Sequence, residues 1–531
     1  MPPPAKEQAA FVAPKPESTQ LMLSQPGITR DGSVLSRRTY IDGQWNRFYQ
    51  KRPLKMRGYE ELSSNMQGTA RALNTFNNEG LTYIHAGTGA GFYRMTIDAS
   101  GAATPMAPRT PVGYTQDATN NWQIDTIFNE AGSTTSIFAH PSPNMTDISS
   151  ETETLIYYGD VLSGAPIVTT ANMSSGGICA VSPYLFRYGH GGLVDWSVPG
   201  FPLDFAGVGS GSARPTASKV VRGLPLRGQS APAAIFWSLD SIILAKFVGT
   251  PTFFEFTTVT TSASILSSNG VIEDNGIYYW ATTDGFSMFN GVMRDIPNEY
   301  NRQWFLDNLN TAQRQKVFAM KVPRWNEIWW CFPYGDATEC THAVILNKAD
   351  PSAMFWYDTI LPNGGRSAGH YNVQRSYPVM TGVGGGSGSL TGRTSVWQHE
   401  IGFDEVSGSP ATSKAIKAKF RTHEMNSVAP TSLDTVGVSR SVSYSVMEPD
   451  FEQVGALTWT AISRANARAT EVEMDSVTVP GVVTDANDQT VKTKFTGRLT
   501  SFEIESNVAG GNYFAGSPVV RFRPGDSRSE G

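Results

Sequence analysis

Asp284, Glu327 and Glu339 supply carboxylates within an aromatic-rich part of the chain, the side chains a glycan hydrolase would pair as acid and base. Asp284, however, opens an Asp-Gly turn and has a local role there. No repeated Ser-x-Asp-x-Gly-x-x-Trp box accompanies the three acids. Cys331, Cys340 and His342 could begin a metal centre, but a closed zinc site takes four ligands, usually with a close cysteine pair, and that pair is absent. Buried thiols and an ordinary histidine are the favoured reading. Gly87-Thr88-Gly89-Ala90-Gly91 has the composition of a phosphate loop. Such a loop must open a helix, whose first amides hold the phosphate. Here the strand-like run Phe92 to Ile97 follows, so a turn is expected. Gly207 to Ser212 and Gly382 to Ser389 lack the Lys-Ser/Thr ending and read as linkers, and His190, flanked by glycines, reads as a turn residue. No catalytic, cofactor-binding or metal-ligating residue is assigned.

Arg37, Arg38, Arg47, Lys51, Arg52, Lys55 and Arg57 form the one basic cluster, with Trp45, Phe48 and Tyr49 interleaved and Asp42 as the only acid. Cations alternating with aromatics can track a phosphate backbone. The cluster is short, and a solvated strand face that meets an acidic partner surface is the favoured alternative.

The elements that must carry these residues are centred on Ser264 to Asn347. Ile277 to Trp280 is an aromatic run suited to a strand, Asp284-Gly285 is a hairpin signal, and Phe286, Met288 and Phe289 form the return strand. Asn290-Gly291 turns the chain again. In Trp325 to Phe332, Ile328, Trp330 and Phe332 share one face while Trp329 and Cys331 share the other, so both faces are expected to be buried. Stacked small sheets satisfy that demand. Similar runs occur at Leu81–Ile97, Thr154–Gly159, Pro183–Trp196, Ala233–Val259 and Tyr377–Trp397, spaced ~45–55 residues apart, close to the length of a four-stranded blade. Glu299 to Met320 is the best helix candidate, an excursion between blades.

The fold class expected is therefore all-β: a β-propeller of roughly six to eight blades with an additional β-rich platform domain. Residues 1–35, rich in Pro, Ala and Ser, read as a flexible arm that lies across a neighbouring subunit. Residues 36–70 read as a basic β segment packing with the C-terminal domain, 71–403 as the propeller and 404–531 as the C-terminal β domain. With 17% charged residues and a net charge of −5, the 531-residue chain carries no strong basic balance. Three cysteines without paired spacing read as reduced thiols, and no apolar run suggests a signal peptide or membrane span.

Several ordered pieces, LSSNGVIEDNGIYYWATTDGFSMFNG, NRQWF, KVPRWNEIWWCFPYG, AVILNK and WYDTIL, resemble the tail nozzle, or packaged-DNA stabilisation, proteins of short-tailed bacteriophages. The match in order and spacing runs from about Gly176 to Leu361. WNRFYQKRPLKMRGY and GRLTSFEIESNVAGGNYFAGSPVVRFRPGDSR are similar more loosely. The resemblance implies a non-enzymatic virion protein, assembled in the host cytoplasm. It would form a homo-hexameric distal tail tube that retains packaged DNA and conducts it at ejection. Implied partners are an adaptor ring (the head-to-tail connector), tail fibres or tailspikes, a tail needle or plug protein, and duplex DNA in transit. No cofactor is implied. The rival reading is a glycan-binding or glycan-hydrolysing propeller of the tail.

Overall fold

Short aromatic strands joined by tight turns give seven consecutive four-stranded meanders. They are seen in a computed structural model that describes residues 18–21, 24–34, 37–145, 152–383, 392–425, 440–481 and 490–527. The first six sheets occupy 70–108, 121–174, 177–213, 220–260, 271–295 and 318–360. The seventh takes Arg366–Asn372, Tyr377–Gly382 and Arg393–His399, and borrows Tyr59–Gln67 as its fourth strand. First strands of successive sheets lie side by side, with the turn Ser268–Gly270 ahead of the fifth sheet meeting the first strand of the fourth, and the first strand of the seventh returns to that of the first, so the circle closes. This is a seven-bladed β-propeller.

Apolar residues are shared between neighbouring blades. Phe92 of the first blade packs with Trp122 of the second, Phe186 of the third with Phe236 of the fourth, and Trp237 of the fourth with Trp280 of the fifth. Trp330 is fully buried. It lies 4.8 Å from Phe286 and 5.8 Å from Trp356, ring to ring, and its Nε1–H donates to the Gly270 carbonyl at 3.0 Å. Every side chain of Glu327–Phe332 is buried, so this strand has no solvent face.

Tyr59–Gln67, read from sequence with the flanking domain, belongs to the propeller. It pairs antiparallel with Arg393–His399, and Arg366 stacks between Tyr59 and Trp397 at 5.1 and 5.4 Å while its Nε–H donates to His399 at 3.1 Å. Asp404–Ser407 and Thr412–Ala415 extend the same sheet, so the blade continues past residue 403. Strand alternation reads the same whichever sheet a strand joins, which is why sequence assigned these pieces elsewhere. The helix expected over Glu299 to Met320 is cut short. Arg302–Asn308 is α-helical, Thr311–Lys316 is a 3-10 turn, and Phe318 already begins the sixth blade, where it pairs with Cys331.

Part of the expected arm is also built into the propeller unit. Over Gly27–Asp31, Gly27 sits against Tyr300 with φ +105°, leaving no room for a Cβ. The amides of Arg30 and Asp31 donate to the Tyr300 carbonyl at 2.7 and 3.0 Å. Asp31 accepts from the amides of Gln303 and Trp304 at 2.8 and 2.9 Å, which caps the short helix.

The second unit combines 32–55 with 415–531 and a strand from the first 26 residues. Asp42–Gln44 pairs with Ala418–Arg421, and Arg52–Lys55 lies between Asn46–Tyr49 and Asn512–Ala515. Ser18–Leu21 pairs with Val519–Phe522 along the edge of a third sheet. Trp459 and Phe502 stack at 4.9 Å and Tyr444 stacks on Phe495 at 4.6 Å in its core. In sequence, the propeller interrupts this unit.

Candidate functional site

Each residue suspected of chemistry has a structural partner. Thr88 ends one strand and Gly91 begins the next. The Thr88 hydroxyl oxygen accepts from the amides of Ala90 and Gly91 at 3.1 Å, so Gly87 to Gly91 is a hairpin turn. A Cβ on Gly87 would stand 2.2 Å from Trp122, so packing demands the glycine. Asp284 is exposed and accepts from the Thr282 hydroxyl at 2.8 Å inside its turn. Glu327 is buried and accepts from Trp329 Nε1 at 2.8 Å and the Tyr357 hydroxyl at 2.6 Å. The His190 amide donates to the Ser175 hydroxyl at 2.8 Å in a 3-10 turn. Cys340 Sγ lies 3.2 Å from the Lys316 carbonyl, and His342 stacks on Tyr334 at 4.2 Å. Burial pushes both the Cys331 and Cys340 thiols up, so they stay protonated and are poor ligands and nucleophiles. Among the described residues no group of three or more His, Cys, Asp or Glu is placed to hold a metal ion. In Gly207 to Ser212 the Asp204 carboxylate caps the amides of Ala206 and Gly207 at 2.9 Å. All of Gly382 to Ser389 beyond residue 383 lies outside the described residues.

The basic cluster is not a continuous face. Arg47 is fully buried, and Lys55 is 1% exposed and donates to the Gly511 carbonyl at 2.8 Å. Arg52 stacks on Phe514 at 3.9 Å and donates to the Ala515 carbonyl at 3.0 Å. Trp45 and Phe48 are core residues. Both sequence readings of this stretch, a phosphate track and a solvated face, give way to a strand pair whose cations are largely spent on carbonyls and rings. Arg38 and Lys51 remain at the surface.

A polar cluster spans the centre of the propeller, and of its members sequence analysis had singled out Glu339, as a possible glycan-hydrolase carboxylate. Arg71, on the first strand of the first blade, forms a two-pronged ion pair with Glu339 of the sixth at 2.6 and 2.8 Å. Lys316 Nζ adds a contact to Glu339 at 3.0 Å and one to the Thr338 carbonyl at 2.6 Å. The Gln315 carbonyl accepts from Asn121 of the second blade and from Ser267, just ahead of the fifth, both at 2.8 Å. Asn269 Nδ2 donates to the Arg71 carbonyl at 2.9 Å. Groups from opposite sides of the ring therefore meet on one backbone segment, and residues 315–316 fill the propeller axis at this level. Burial raises the Glu339 carboxyl, but the hydrogen bond and charge of Arg71, then Lys316, outweigh it and hold it below its ordinary value. Glu339 is thus a locked carboxylate, unsuited to act as a general acid. Glu339 was noted in the sequence as a carboxylate, but its partner was signalled only by Arg71 itself, a cation within the otherwise apolar and small run Thr69 to Leu73.

No protein-family model matches the chain, and no curated protein does. Solved structures similar to it include the WD40 domain of Neurospora crassa Pan2, at 10% identity and a TM-score of 0.38, covering 65% of this chain and 96% of that one. An ancestral GH74 enzyme is similar at 11% identity and a TM-score of 0.40, covering 63% of this chain and 48% of that one.

Proposed function

We propose that this chain is a structural tail protein of a short-tailed phage, a subunit of the nozzle through which packaged DNA leaves the particle. The observation that supports this reading most directly is the fate of its candidate chemistry. The aromatic and acidic residues of the stretch that resembles nozzle proteins are spent on core packing, turn formation and closure of the propeller axis. A propeller whose axis is filled by its own backbone cannot be the conduit. A DNA passage would have to lie between copies, as in a ring of six. The flanking unit, woven from both ends of the chain, is the part we assign to ring formation and to contact with the adaptor, while fibres and a plug protein would attach elsewhere. The glycan-hydrolase alternative needs a free pair of carboxylates, and Glu327 and Glu339 are both engaged.

The test is the mass and negative-stain appearance of the purified protein, alone and with its adaptor ring. A six-fold ring with an axial hole is the expected result. A stable monomer that cleaves polysaccharide would overturn the proposal.

A further inference from the structure

In the flanking unit, the strands Asn46–Tyr49 and Arg52–Lys55 are joined by a two-residue turn, Gln50-Lys51. Both residues are left-handed, at φ +49° and +66°. Asn-Gly or Asp-Gly is the usual occupant of such a turn, because a β-carbon is disfavoured at positive φ. Here the turn carries a lysine instead and sets it on the rim of a cavity of about 460 Å³.

Lys51, Arg38 and Arg52 supply three cations to this cavity, while Tyr40 and Pro53 are buried and give it apolar walls. Among the described residues Lys51 makes no ion pair. Arg38 spends one N–H on the neighbouring Arg37 carbonyl at 3.0 Å. Two acids lie close by. Asp450 accepts from the Ser517 amide at 2.7 Å, and the largely exposed Glu452 is 3.8 Å from Arg52. His423, which also lines the cavity, contacts the Ser24 hydroxyl at 2.8 Å through Nδ1. Burial, then Arg38, lowers its pKa to about 4, so the imidazole is neutral at pH 7 and adds no charge beside Lys51 and Arg38.

We propose that this cavity is a binding site for a small phosphate-bearing ligand of mononucleotide size. Lys51 and Arg38 would hold the phosphate oxygens, and the Tyr40 and Pro53 walls would take the attached apolar or ring portion. The volume falls in the range of small-ligand sites, and charge-assisted contacts to phosphate oxygens are the strongest hydrogen bonds such a site can offer. This assignment does not rest on the nozzle reading.

The test is calorimetric titration of the full-length protein with AMP, with inorganic phosphate and with a short DNA duplex, at pH 7 and low salt. Lys51→Gly is an informative variant, because glycine suits the left-handed turn and the variant should fold at least as well while losing the charge. Arg38→Gln is its companion. AMP is expected to bind with a Kd of about 1 mM or tighter, more tightly than inorganic phosphate, and each variant should weaken it about tenfold or more. Absence of AMP binding in that range, unchanged binding in Lys51→Gly, phosphate binding as tightly as AMP, or binding of the duplex alone would each overturn the proposal.

Discussion

Arg30 places Nη2 2.8 Å and Nε 3.2 Å from the carboxylate of Asp358, a residue 328 positions further along the chain. Its guanidinium also lies over Trp304 at 5.5 Å, and Asp358 is almost wholly buried. The peptide Gly27–Asp31 is thereby fastened to the last strand of the sixth blade. Arg30→Ala should cost about 1–3 kcal/mol of stability, because it leaves a buried carboxylate short of a donor. Urea denaturation would measure it, and a variant as stable as the parent would show that this strap carries nothing.

Trp330→Ala should be more severe. The fully buried indole touches two aromatic rings and donates to the Gly270 carbonyl. A loss of about 3–5 kcal/mol is expected, seen as misfolded or poorly soluble subunits. Normal folding with loss of only a binding activity would mean that the tryptophan is a site residue.

Acid should destabilise the chain well above the carboxylate range. Burial lowers six of the seven histidines: His140, His342, His370 and His423 to about 4, and His85 and His399 well below the ordinary imidazole value. In the unfolded chain these rings take up protons below about pH 6.5, whereas the folded chain resists until near pH 4. Their stabilisation is therefore fully present above about pH 6.5 and is lost as pH falls from there toward 4, at about 1.4 kcal/mol per deeply buried ring per pH unit. Asp125, raised by burial, acts in the opposite sense, but it is one group against six. Melting temperatures at pH 7.5 and 5 would check this, and equal values would refute it.

The chain restricted to Met56–Lys414 should be a soluble monomer, less stable than the full chain for want of the Gly27–Asp31 strap, since it keeps all seven blades and the strand that closes them. A cut at Asp404 would instead remove strands of the seventh sheet. Retention of rings by Met56–Lys414, measured by light scattering, would show that the propeller forms the assembly contacts.

Assembled rings should bind duplex DNA weakly at physiological salt. A conduit that neutralised many phosphates would hold its cargo, with a salt slope near −0.9 per contact. The net charge of −5 and the burial of Arg47 and Lys55 leave little for such a grip. Tight binding with a steep slope in a titration across salt would contradict the passage we propose.

The aromatic hairpins were legible because alternation and turn chemistry are local: Asp284-Gly285 and Asn290-Gly291 punctuate strands whose buried faces follow from spacing alone. Lys55 was misread because its burial depends on a carbonyl 456 positions away. Arg71 went unnoticed for the same reason, since Glu339 reaches it only once the first and sixth blades share a ring. Tyr59–Gln67 has the pattern of any half-buried strand, and nothing within it states which sheet it completes.

The borrowed strand of the seventh blade sets a timetable for biosynthesis. Thr394 bonds to the Gly68 carbonyl across 326 positions, and Asp42–Gln44 waits longer still for Ala418–Arg421. At translation rates of about 5–20 residues per second, the early strands stand unpaired on the order of 15–65 s. The propeller cannot close until Arg393–His399 has been made, and the flanking unit, which takes strands as late as Val519–Ser527, cannot be finished until the described chain is almost complete. In the ring we propose, whose contacts are assigned to the flanking unit, subunits would therefore join only as nearly completed chains.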